Sequence, residues 1–109
     1  MLKKVEKPWG REIWFAHEKE YAGKLLEINA GRRLSHQYHR VKKETIYVLK
    51  GELEVLFGGE ELVLREKDVL TIHPGVKHRF AALSDVILVE VSTPELDDVV
   101  RIEDDFGRK

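Results

Sequence analysis

Cysteine is absent from this chain of 109 residues. Disulfides and thiolate metal sites are therefore excluded, and any bound metal must be held by histidine, carboxylate or amide oxygen. Also missing is any apolar run near the ~18 residues of a membrane-crossing helix. The N-terminal Met1-Leu2-Lys3-Lys4-Val5-Glu6-Lys7-Pro8 carries charge without the apolar core of a signal peptide. Neither sign of charge is in excess, since 19 Lys and Arg face 20 Asp and Glu for a formal net charge of −1. That balance argues against a nucleic-acid or anionic-membrane binder, which presents a basic face. The chain is expected in the cytoplasm. Side-chain amides are scarce as well: Gln37 is the single Gln and Asn29 the single Asn, in a chain that is 36% charged. Few amides with abundant Lys and Glu is the bias of a thermophile's protein.

What is present reads as β structure. Long helical periodicity is missing, apart from a turn around Glu95 to Asp98. Short β-type runs instead alternate with Gly, Pro or charged turns. The expected strands are Arg11 to Ala16, Lys24 to Ile28, Arg33 to His39, Thr45 to Leu49, Glu52 to Phe57, Glu60 to Leu64, Val69 to Ile72, Arg79 to Leu83 and Val86 to Val91. Gly58-Gly59 marks a tight hairpin between two of them. A chain of this length makes one domain, 1–109, and buries roughly two-thirds of its unfolded surface. The expected fold is all-β, a jelly-roll-like double sheet.

Five histidines are present, and two sit in patterns that suit a metal. In an extended strand, residues two apart share a face, so Gln37 and His39 project together with Arg33 and Ser35. Glu44 would fall on the opposite face of an unbroken strand. The polar run Arg40-Val41-Lys42-Lys43 reads as a turn that resets the register and brings Glu44 inward. His78, after the His73-Pro74-Gly75 turn, can reach the same point from the facing side. Two imidazoles, a carboxylate and an amide oxygen suit one divalent ion of Zn, Mn, Co, Ni or Fe, with room for water or substrate. Taken singly, a histidine such as His39 or His78 is more often a hydrogen-bonded surface or core residue than a ligand. Trp9 and Trp14 read as core aromatics or as faces for stacking a sugar.

The pattern Gly31, Gln37, His39, Glu44, Gly51 resembles the first motif of the cupin superfamily, with Gln for its first His. Pro74-Gly75-Val76-Lys77-His78 resembles the core of the second. The Gln variant is narrower and is similar to the type II mannose-6-phosphate isomerases, the C-terminal cupin domain of mannose-1-phosphate guanylyltransferases. Lys7-Pro8-Trp9-Gly10, Arg33-Leu34-Ser35 with Gln37, Gly75-Val76-Lys77-His78-Arg79 and the Glu103-Asp104-Asp105-Phe106-Gly107-Arg108 ending resemble signatures of that family along nearly the whole chain. The chain departs from it at Arg40 and Val41, where two histidines are usual, and at His36, His73 and Ala82.

The resemblance implies a double-stranded β-helix with a metal held by Gln37, His39, Glu44 and His78. It further implies a stand-alone, metal-dependent aldose–ketose isomerase that interconverts mannose 6-phosphate and fructose 6-phosphate. A non-catalytic metal- and sugar-binding module is the alternative, and a metal-dependent dioxygenase a third. The phosphate of the small-molecule sugar phosphate would need a cation: Arg33 first, with Lys42, Lys77 and Arg79 nearby. No residue is singled out for proton transfer, and Glu90, beside the apolar row Ile87, Val89, Val91, is expected to point outward. A homodimer is expected, paired through edge strands.

Overall fold

The computed structural model describes residues 2–108, so the outer ends of the expected domain, Met1 and Lys109, lie outside the described residues. The strands are β1 (Lys3–Lys7), β2 (Gly10–His17), β3 (Ala22–Ile28), β4 (His36–Tyr38), β5 (Glu44–Lys50), β6 (Leu53–Phe57), β7 (Glu60–Leu64), β8 (Val69–Ile72), β9 (His78–Ala82), β10 (Val86–Ser92) and β11 (Val100–Glu103). No helix occurs among the described residues. Two antiparallel sheets form, one ordered β1-β2-β3-β10-β5-β8 and the other β11-β4-β9-β6-β7. The all-β double sheet is as the sequence led us to expect.

Local sequence explains most of this. Leu53 and Val55 in β6 are wholly buried while Glu54 between them is not, the period-2 signature of a half-buried strand. The β6–β7 hairpin closes through Gly58 at φ 63°. Gly51 ends β5 at φ 88°, and a Cβ there would come 2.3 Å from the Asp85 carbonyl oxygen, so the turn admits only glycine.

Two strands carry no such signature. In β1, Lys3 to Lys7 has charge on both faces; it is held by residue-by-residue pairing with β2, from Lys3 opposite Trp14 to Lys7 opposite Gly10. β11 pairs with β4 through Val100 opposite Tyr38 and Arg101 opposite Gln37. The expected strand from Arg33 to His39 is shorter than its pattern. Only His36 to Tyr38 is strand, and Arg33 makes an isolated bridge with Ala81.

The core lies between the sheets, with Leu26, Ile46, Val48 and Leu88 facing Leu53, Val55 and Phe80. On the inner face of the larger sheet, Leu26, Leu88 and Val48 stand in one cross-strand row. The next row toward one end runs Trp14, Lys24, Glu90, Ile46. The interior thus passes from apolar to charged along the strands. Glu90 corrects our expectation: it belongs to the inward row Val86, Leu88, Glu90 and is 3% exposed. Both rows of β10 are apolar up to that point, so alternation could not tell which faced in.

Candidate metal centre

Three elements converge at that charged end. Gln37 in β4 is the cross-strand partner of His78, the first residue of β9. His39 follows β4 directly, and Glu44 opens β5 in the other sheet. The Nε2 of His39 lies 3.0 Å and the Nε2 of His78 3.5 Å from Glu44 Oε1. All three residues are buried, and one ligand atom from each falls within 4.8 Å of the others, a grouping that can hold a metal ion.

The hydrogen bonds behind the rings decide what the rings offer. His39 Nδ1 is 2.5 Å from the Asp98 carbonyl oxygen and His78 Nδ1 is 2.9 Å from that of Val76. Each Nδ1–H donates to a carbonyl, which leaves each Nε2 with its lone pair turned inward. His78 Nε2 is buried without a hydrogen-bond partner. A buried lone pair without a donor is costly, and a cation between the two rings and Glu44 satisfies it. The donor set fits a divalent ion. Gln37 stands beside it, its Oε1 accepting from Ser35 Oγ at 2.5 Å.

The register reset before Glu44 is built around a residue that sequence reasoning missed. The Asp98 carboxylate accepts the backbone N–H groups of Arg40, Val41 and Lys42 at 3.1, 2.7 and 2.9 Å. Desolvation would raise the Asp98 pKa, but these N–H groups hold it below its ordinary value. The Pro74-Gly75 turn is tied to the same segment, with Gly75 N–H donating to the His39 carbonyl at 2.7 Å.

A cavity of about 110 Å³ opens onto Gln37, His39 and Glu44. Its wall carries a chain of buried charges. Lys24 Nζ is 3.2 Å from Glu12 and 3.7 Å from Glu90, while Lys42 Nζ is 3.2 Å from Glu90 and 3.7 Å from Glu44. Trp14 Nε1 donates to Glu12 at 2.8 Å. Burial, then the negative charge of Glu44, pushes Glu90 up to about 8 despite the two ammonium groups. Burial works against Glu44 as well, yet the polar groups of His39, His78 and Glu90 beside it and the charge of Lys42 hold it well below the carboxylate range. Lys42 is raised: the attraction of Glu90 and Glu44 outweighs its desolvation. Trp9, 2% exposed, packs in the core beside this cavity.

Of the four cations expected near a phosphate, Lys42 lines the cavity and the other three lie elsewhere. Arg33 makes a two-point pair with Asp105 at 2.5 and 2.8 Å. Arg79 donates to the Leu34 carbonyl, to Glu103 and to the same Asp105. Both arginines line a separate depression with His36 on the five-stranded sheet. Lys77 is exposed and does not line the cavity. The break at Leu34 and Ser35 is the cause for Arg33: without continuous strand, the parity that put it beside Gln37 is lost.

Residues 24–92 match the model of the cupin domain, and the chain belongs to that family. Among curated proteins it is similar to the xanthan biosynthesis protein XanB of Xanthomonas campestris pv. campestris (strain B100), 33% identical over 111 residues that cover 97% of this chain and 24% of that one. The mannose-1-phosphate guanylyltransferase ManC of Salmonella typhimurium is 33% identical over 113 residues, covering 99% of this chain and 24% of the relative. The chain therefore spans about a quarter of the length of these relatives. Of solved structures, KdgF from Halomonas sp. superposes with a TM-score of 0.76 at 20% identity, over 89% of this chain and 88% of that one, a likeness of fold.

Proposed function

We propose that this chain is a metal-dependent aldose–ketose isomerase that interconverts mannose 6-phosphate and fructose 6-phosphate. The observation that carries the proposal is the convergence of two inward-facing Nε2 atoms on Glu44 beside a cavity lined by ammonium and carboxyl groups. The likeness to a mannose-1-phosphate guanylyltransferase supports a sugar phosphate as ligand. A single divalent ion held by His39, Glu44 and His78, with Gln37 as fourth ligand, would supply Lewis acidity toward a carbonyl and its neighbouring hydroxyl.

The chain's own groups do the rest. Burial of the ligand side chains keeps water from the reacting carbons. A proton must pass between adjacent carbons, and the cavity carboxyls Glu12, Glu90 and Asp97, outside the ligand set, are candidates within its wall to carry it. For the phosphate, Lys7 and Arg108 line the cavity, and Lys42, which also lines it, is engaged with Glu90 and Glu44. Arg33, Lys77 and Arg79 do not line it, so we assign the phosphate to Lys7 and Arg108. An intracellular sugar phosphate would place the reaction in the cytoplasm.

Metal analysis comes first, followed by a coupled assay for fructose 6-phosphate from mannose 6-phosphate with Co²⁺, Zn²⁺ or Mn²⁺. Turnover is expected. Bound metal with no turnover of any hexose phosphate would instead mean a binding module, and oxygen uptake with Fe²⁺ a dioxygenase.

We also propose a homodimer, formed through the outer face of the larger sheet and not through an edge. Ile13, Leu25, Val89, Tyr47 and Val69 are successive cross-strand partners there, with Phe15 and Val91 exposed nearby. An antiparallel sheet facing water normally alternates to polar on that side. A second copy of the same face covers this one by two-fold symmetry.

A further inference from the structure

We infer that Lys24 is a ligand-binding residue whose ammonium donates to an oxygen of the bound molecule that bears or develops negative charge. The identity of that oxygen, the enediolate oxygen of an isomerising sugar, rests on the isomerase reading; the binding role does not.

The cavity wall supplies the reasons. Lys24 stands directly opposite Glu90 on β10 and opposite Trp14 on β2, 7% exposed, while Leu26 and Ile28 on the same face of β3 are core. Apolar side chains at Lys24, Glu12 and Glu90 together would continue that row without loss to the fold, because whole buried ion networks are often replaceable by well-packed hydrophobic groups. The network is nonetheless present where the cavity opens. An ammonium has three donors; Lys24 gives one to Glu12 at 3.2 Å and pairs with Glu90 at 3.7 Å, beyond hydrogen-bond length. The remaining donors have the cavity beside them.

The chemistry of their partner follows. A cationic ligand is repelled, and an apolar one leaves the donor unmet. A neutral hydroxyl satisfies it, and an oxygen that gains negative charge satisfies it better, because the ammonium is already held between Glu12 and Glu90 and need not reorganise. The chain Glu12–Lys24–Glu90–Lys42–Glu44 ends at the metal-ligating set. In a cavity of about 110 Å³, one small polyhydroxy carbonyl compound can engage both ends.

The test uses the metal-loaded protein and arabinonohydroxamate 5-phosphate, whose planar N–O group mimics an enediolate. Lys24→Met should lower its affinity, measured by calorimetry, about 10- to 100-fold, as expected for a lost charge-assisted hydrogen bond. Lys24→Arg should recover most of the loss. Metal affinity, read by chelator competition, should stay unchanged in both, since Lys24 does not touch His39, Glu44 or His78. In the isomerase assay kcat should fall more than KM rises. Hydroxamate binding by Lys24→Met at wild-type affinity, or no binding by the wild-type protein, overturns the inference. If the wild-type protein binds the probe yet turns over no hexose phosphate, the isomerase reading fails alone. Should Lys24→Met not fold, the ¹⁵Nζ resonance of Lys24 in the wild-type chain decides: it must shift on adding the hydroxamate, and an unmoved resonance overturns the role.

Discussion

Asp98 holds His39 from behind: its carbonyl oxygen lies 2.5 Å from the ring's Nδ1. The side chain of the same residue gathers three backbone N–H groups of the loop that leads to Glu44. One residue outside the ligand set therefore fixes both the ring and the turn between two ligands. Removing such support commonly weakens metal binding about 10- to 100-fold. Asp98→Ala should fall in that range, with Asp98→Asn losing less because its amide oxygen still accepts a hydrogen bond. Chelator competition measures it. Wild-type affinity in Asp98→Ala would mean that the loop keeps its shape unaided.

The C-terminal segment should loosen in acid before the core does. Hydrogen bonding to Arg108 holds Asp104 below its ordinary value, and hydrogen bonding to Arg33 does the same for Asp105. A folded-state pKa below the unfolded value adds stability at neutral pH that is lost as pH falls through the folded pKa. The loss therefore lies below about pH 4, the ordinary Asp value. Hydrogen exchange should show amides of β11 losing protection there while those of β6 keep it. Arg33→Ala should reproduce the loosening at pH 7. It should also change KM for phosphorylated and unphosphorylated sugars alike, because Arg33 pairs with Asp105 and does not line the cavity.

Which parts of the site were legible follows from how each residue signals its place. His39, Glu44 and His78 stood out because their spacing carries the chemistry, and the polar run from Arg40 to Lys43 announced the register reset. Gln37 was conspicuous as the single Gln. Asp98 gave no signal: its task is done by a backbone carbonyl and by contacts with residues 56 to 58 positions away. Glu90 was misleading for a different reason. A charge in an apolar strand is usually outward, and only the partner charges across the sheet, separated in sequence, make burial tolerable. β1 and β11 were missed because pairing, not composition, makes them strands.

The outer face of the larger sheet gives a simpler expectation. Tyr47 is in the middle of its apolar row, with Val89 and Val69 on either side. Tyr47→Glu places a charge at the centre of the proposed interface, where an unpaired charge disfavours association. Light scattering should report a dimer for the wild type and a monomer for Tyr47→Glu, with the circular dichroism of both unchanged. A monomeric wild type would remove the dimer.

Glu90 links the buried network to pH in the metal-free protein. Its pKa rises from 4.5 to about 8, first through burial and then through the charge of Glu44. The sign is opposite to that of Asp104 and Asp105. Between these two values the unfolded chain has released a proton that the folded chain keeps, so folding stability falls as pH rises from about 4.5 to about 8 and levels off above. The slope contributed by one such group is at most about 1.4 kcal/mol per pH unit. Glu90→Gln cannot ionise and lacks that slope. Guanidinium unfolding of both metal-free proteins at pH 5, 6.5 and 8 should therefore show the wild type losing ground to Glu90→Gln as pH rises. Parallel stabilities across the range would mean that Lys24 and Lys42 keep Glu90 ionised throughout, and that the network holds two carboxylates side by side with no shared proton.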